Sequence, residues 1–227
     1  MDSGNIGFVL LCAAFVFVMT PGLAMFYGGL VRKKNVVNTM MTSIFIIGVG
    51  IVMWVLFGYS LSFAPSGNAF IGDFRWLGLE GVSLTEGYTD DASIPNMVFS
   101  AFQMMFAVIT PALITGAVAG RMKFKSIFVF TIFWSLIVYY PLAHMVWGQG
   151  GLLGADGIGA LDFAGGDVVH ISSGVSALVL CILLGKRHDY EHSIYRIHNI
   201  PTVVLGASLL MFGWFGFNAG SALEANG

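Results

Sequence analysis

Of 227 residues, 57% are hydrophobic and only 10% charged, with a net charge of −2 and a mean hydropathy of +0.84. A soluble globular domain carries about a quarter charged residues, so that class is excluded and the chain is suited to lipid. Nothing in its charge pattern resembles a nucleic-acid footprint. Thirty glycines fit helices whose backbones approach closely in a bilayer. Cys12 and Cys181 both lie inside apolar runs and read as small hydrophobes, not as a disulfide pair.

The charges are ordered along the chain. Nine of the ten Lys/Arg fall in three clusters: Arg32, Lys33 and Lys34; Arg121, Lys123 and Lys125; Lys186, Arg187 and Arg196. Ten of the twelve acidic residues fall in the intervening segments or at the ends, Asp73, Glu86, Asp156 and Asp162 among them. Positive clusters mark cytoplasmic loops. The alternation therefore predicts the cytoplasmic ends of the helices and an extracytoplasmic N-terminus. Met1-Asp2-Ser3 lacks the basic region of a signal peptide.

A spanning helix needs about 20 apolar residues, and six candidates follow in order. The first covers about 6–30, with Pro21 predicting a kink. The second covers about 39–63, and 65–95 is a polar, acidic outer loop. The third, about 96–120, places Phe102 and Phe106 on one face, meets a second proline at Pro111, and carries Gly116 and Gly120 as a candidate helix contact. The fourth, about 126–147, ends on Trp147, where an interfacial aromatic belt is the ordinary explanation. A glycine-rich stretch leads to Asp162-Phe163-Ala164-Gly165-Gly166-Asp167-Val168-Val169-His170, and the fifth helix runs on to Leu184. The sixth covers about 200–223. The loop between the last two holds His188, His192 and His198, whose spacing is not diagnostic of a metal site, so solvated loop residues are expected.

Polar and aromatic groups converge on the outer helix ends: Phe102, Phe106, Trp147, Asp162, His170, Phe217 and Ser221. Aromatic faces attract a small desolvated cation by ~0.5–2 kcal/mol each, and a hydroxyl accepts a hydrogen bond from one. A vestibule for a small cation and a core dense in aromatics account for this spacing alike. An ionisable side chain at the mouth of an apolar span, such as His170, marks a functional site by default. An intramembrane enzyme built on Asp162, Asp167 and His170 is disfavoured, because no glycine-flanked serine nucleophile or second intramembrane aspartate accompanies them.

Four stretches resemble the ammonium transporter (Amt/Mep/Rh) family: Phe102 to Phe106, Ala143 to Gly148, Asp162 to His170, and Gly213 to Ser221. They occur in the family's order, and the aspartate-to-histidine stretch is the most specific. The resemblance implies an all-α integral membrane fold of eleven helices in two inverted five-helix repeats. On that basis 1–227 is the N-terminal portion of the transporter domain, with the first repeat at about 6–185 and the second starting at about 199–227. Carried over residue by residue, Phe106, Trp147 and Ser221 match the ammonium recruitment site. Phe106 and Phe217 match a stacked gate. Asp162 matches a carboxylate that shapes the site, and His170 matches the first of two pore histidines and lies deeper than hydropathy alone would put it.

The implied function is passage of ammonium as ammonia through an apolar, His-lined pore. The alternative is an ammonium sensor that uses the same vestibule. The resemblance implies no cofactor, a homotrimer in the plasma membrane, and a small cytoplasmic nitrogen-signalling protein as a partner.

Overall fold

The computed structural model describes residues 1–65, 68–155, 157–187, 190–191 and 194–226. Among these, six helices are long and apolar enough to cross a membrane, and no strand occurs. They are α1 (Ser3–Leu30), α2 (Lys33–Phe63), α3 (Asn96–Val118), α4 (Phe124–Trp147), α5 (Gly166–Leu184) and α6 (Ile200–Gly220).

Their ends follow local chemistry. Asp2 accepts the Asn5 N–H at 2.8 Å to open α1, and Asn199 accepts the Thr202 N–H at 3.1 Å to open α6, with Pro201 in the first turn. Pro21 and Pro111 sit inside α1 and α3, and both helices continue through them. The expectation that Gly116 and Gly120 make a joint helix contact is half corrected. Gly116 lies against the Tyr27 ring of α1, whereas Gly120 falls after the helix end at a φ of +71° and follows the chain into the turn.

One end of the bundle gathers the long loops. The Asp2 N–H donates to Ser93 O at 2.8 Å, the Ala225 N–H to Asn5 Oδ1 at 2.9 Å, and the Leu152 N–H to Ala69 O at 2.9 Å. The opposite end gathers the basic clusters. Arg121 donates to the Gly185 carbonyl at 2.9 Å, and the Arg32 and Arg187 guanidinium groups lie over the Tyr195 ring at 5.1 and 4.5 Å. The His198 N–H donates to Val31 O. His188 and His192, expected to be solvated, lie outside the described residues.

α3 is the most buried span, and α5 and α6 are the least. α1 packs along α6 through glycines seven residues apart. Gly206 leaves no room for a Cβ against the Phe26 backbone, Gly213 meets Met19, and a Cβ at Gly220 would lie 2.6 Å from that of Cys12. Such contact takes the place of the hydrophobic drive that lipid cannot supply. α2 and α4 each contain a widened turn, Trp54–Gly58 and Ser135–Tyr139, where the Trp54 and Tyr140 rings meet at 6.1 Å.

Several polar side chains inside the spans bond to backbone or to a neighbouring helix, as a hydrocarbon surround favours. Ser173 Oγ donates to Val169 O at 2.6 Å and Ser176 Oγ to Ser172 O at 2.7 Å, while Trp134 Nε1 donates to Ser176 Oγ at 2.8 Å. Cys12 and Cys181 are free thiols.

Candidate functional site

The loop-bearing end holds a cavity of about 290 Å³ between α3, the end of α4, the turn before α5, the segment just after α6 and the 64–95 loop. Phe102, Phe106, Trp147, Asp162 and Ser221 line it, joined by Tyr88, Phe99 and Gln103. Five sequence-selected residues are thus brought together from four segments far apart in the chain.

The turn before α5 positions this wall. Asp162 accepts four backbone N–H groups: Gly165 at 2.5 Å and Gly166 at 2.8 Å on Oδ1, then Asp167 at 2.8 Å and Val168 at 2.9 Å on Oδ2. These are the donors that a helix start leaves without partners, and a carboxylate there also complements the helix dipole. Gly165 stands at a φ of +98°, where a side chain would be strained, and that conformation turns the amides onto one carboxylate. The Asp162 carbonyl in turn accepts the Trp147 indole N–H at 2.9 Å, which orients the indole in the wall. Trp147 is therefore tied into the site itself, which an interfacial anchor alone would not require.

The rings form a sequence leading inward. Trp147 meets Phe106 edge-on at 6.1 Å; Phe106 lies 4.3 Å from Phe217. Both phenylalanines are 1% exposed, so the pair closes the cavity floor. Phe217 then approaches His170 at 5.8 Å, and the His170 ring stacks on Trp214 at 5.6 Å with an interplanar angle of 12°. His170 does not line the cavity; it follows the phenylalanine pair. Trp214 precedes the end of α6 by six residues, about 9 Å at 1.5 Å per residue, so His170 reaches that depth although it stands in the first turns of α5. Its ring lies on an open face of the bundle.

Ser221 Oγ donates its hydrogen to Phe217 O at 2.8 Å, leaving its lone pairs free to accept. The outer wall comes from the 64–95 loop. Tyr88 stacks on Phe99 at 4.8 Å, and burial pushes its phenol up to about 12, so it stays neutral near pH 7. Tyr88 escaped sequence reasoning because an aromatic in a polar loop carries no periodic signal, and Phe99 because it lies in the first turn of an apolar helix where one more aromatic does not stand out. Gln103, by contrast, sits inside a quoted motif.

Residues 7–227 match the model of the Ammonium Transporter Family. The chain belongs to that family. It is 52% identical over 227 residues to an ammonium transporter of Bacillus subtilis (strain 168), an alignment covering 100% of this chain and 54% of the relative. Among solved structures, Candida albicans Mep2 superposes with a TM-score of 0.87 at 34% identity, covering 99% of this chain and 50% of Mep2. A structure described as a sensor Amt protein superposes at 0.84 with 29% identity, covering 98% and 56%. The chain thus spans about half the length of the ammonium transporters it matches. Family membership accounts for the expected fold class: an all-helical membrane architecture of the Amt/Mep type, of which six spans are present here.

Proposed function

We propose that this chain forms the recruitment vestibule and the first half of the pore of an ammonium transporter. The observation that carries the reading is the ordered series from cavity to histidine: Trp147, Phe106 and Ser221 around the cavity, the Phe106–Phe217 pair beneath it, and His170 directly after.

In this reading the aromatic faces and the Ser221 lone pairs take up ammonium in place of water, each ring contributing ~0.5–2 kcal/mol. Asp162 shapes the site through the four amides it holds. Phe106 and Phe217 gate the way inward. A dry passage disfavours any intact cation and lowers the pKa of bound ammonium. Ammonium can shed a proton and potassium cannot, so ammonia alone crosses. Neutral His170 offers one donor and one acceptor to it.

The remaining wall and a second histidine cover the open face of α5 and α6, on which His170 lies. Residues 6–185 act as the first five-helix repeat, and 199–227 open the second. The end rich in Arg32, Arg121 and Arg187 faces the cytoplasm, which puts the N-terminus outside the plasma membrane. A homotrimer with one pore per protomer and a cytoplasmic nitrogen-signalling partner complete the proposal.

A sensor with the same vestibule is the second reading, favoured by the likeness to the sensor Amt protein. The higher identity to a transporter supports conduction.

The test is His170→Asp in the protein as the cell makes it, reconstituted in liposomes. A carboxylate in the lumen holds a cation that neutral imidazole does not, so potassium current should appear where the natural protein excludes it. An assembled variant that still excludes potassium and carries ammonium at the natural rate removes His170 from the mechanism. If the natural protein binds ammonium without moving it, the sensor reading holds.

A further inference from the structure

The cavity wall contains a polar group that neither the aromatic faces nor Ser221 explains. Gln103 stands on α3 four residues from Phe99 and three from Phe106, on the face they share, and its side chain lines the cavity with Phe106, Trp147 and Ser221. It is 9% exposed, and its Oε1 has no hydrogen-bond partner among the described residues. A buried amide oxygen without a partner is destabilising, and a Leu or Met at the same place on an apolar helix would not be.

The other buried polar side chains of α3 are treated differently. Thr110 Oγ1 donates to Phe106 O at 2.6 Å, Thr115 Oγ1 donates to Ala112 O at 2.7 Å, and Ser100 Oγ accepts from Trp54 Nε1 at 3.3 Å. Around the cavity, the Trp147 N–H, both Asp162 oxygens and the Ser221 hydrogen are committed to backbone partners. Gln103 is left with an uncommitted acceptor beside the cavity that the recruitment reading fills with a donor-rich cation.

We propose that the Gln103 side-chain oxygen is a second hydrogen-bond acceptor for ammonium, acting with Ser221 Oγ. The proposal rests on the recruitment reading above. Ammonium carries four N–H donors. Aromatic faces attract its charge but fix the direction of those donors poorly, whereas two oxygens fix two of them. The amide can turn about its last bond, exchanging oxygen and nitrogen, so the acceptor can face the ion with little rearrangement. A neutral amide suits a site from which the ion must leave again.

Two substitutions test this in the protein as the cell makes it, reconstituted in liposomes, with ammonium uptake followed against concentration. Gln103→Met keeps the length of the side chain and removes both polar atoms. Its half-saturation concentration should rise about tenfold, the loss of one hydrogen bond to a charged group, with a smaller effect on maximal rate. Gln103→Glu keeps the acceptor and adds charge, so half-saturation should fall while the maximal rate drops, because the ion is held. An assembled Gln103→Met protein with natural half-saturation shows that water alone satisfies the amide and overturns the proposal. If Gln103→Met does not assemble, Gln103→Glu decides: unchanged or raised half-saturation overturns it.

Trp147→Leu in the same assay separates the two levels. If Trp147→Leu shifts half-saturation and Gln103→Met does not, only the role of Gln103 falls. If neither does, the recruitment reading falls with it.

Discussion

Removing the Asp162 carboxylate should cost stability before it costs chemistry. Asp162→Ala strips both oxygens from four N–H groups held at 2.5–2.9 Å. Gly166 is exposed and Asp167 partly so, and their amides can turn to water at about 0.5 kcal/mol each. Gly165 and Val168 are buried, so their amides lose a partner outright at about 1–3 kcal/mol each. The total, about 3–7 kcal/mol, is a large share of a typical folding free energy of about 5–15 kcal/mol. For a chain of this size about 2–4 °C of melting temperature follows each kcal/mol, which predicts a fall of roughly 6–28 °C.

Asp162→Asn keeps one oxygen for two of the donors and turns an NH2 group on the other two, so it should lie between natural and Ala. Thermal denaturation in detergent, read as the surviving monodisperse fraction on size exclusion, gives the ordering. Ammonium uptake should fall in step with it, since the Trp147 N–H loses the carbonyl that orients it once the turn loosens. An Asp162→Ala protein that melts at the natural temperature yet no longer transports would refute the reasoning, because the carboxylate would then act on the ion itself.

The remaining expectations concern the vestibule and the topology. Trp147→Leu removes one aromatic wall and should weaken ammonium by at most ~1–2 kcal/mol, read as a raised half-saturation with uptake still present; unchanged uptake and binding would reduce Trp147 to an anchor. Glu80→Cys, in the loop at the vestibule end, should react with an impermeant thiol reagent added to intact cells, while Lys123→Cys at the basic end should not. The reverse labelling pattern would invert the orientation and remove the vestibule from the outside.

Spans and their order were legible in the sequence because each depends on a one-dimensional quantity. A run of about 20 apolar residues sets a helix, and basic clusters at Arg32, Arg121 and Lys186 set which ends lie together. The expected bounds agree with the observed ones within a few residues at most ends, and within six at the start of α2. Phe102 and Phe106, four apart, could be placed on one face, and their rings do meet, at 5.0 Å.

What pairs across the bundle was not legible, because it depends on how helices far apart in sequence come together. Nothing in the spacing put Phe217 against Phe106, or His170 on Trp214 at a depth that hydropathy denied it. Gly116 and Gly120 look equivalent as letters, yet the first faces Tyr27 of α1 from within α3, while the second, past the end of α3, lies against the Asn35 side chain of α2. Asp162 stood out in the sequence as the acid opening the stretch to His170, and the resemblance matched it to a carboxylate that shapes the site, but its partners were not legible. The structure makes it the acceptor for four amides, because the chain reverses at Gly165 and brings every unpaired donor of the new helix onto one carboxylate. Hydropathy measures a residue's preference for water, which decides where it sits in a membrane; what it touches there is decided by backbone geometry and packing, and these exist only once the chain has folded.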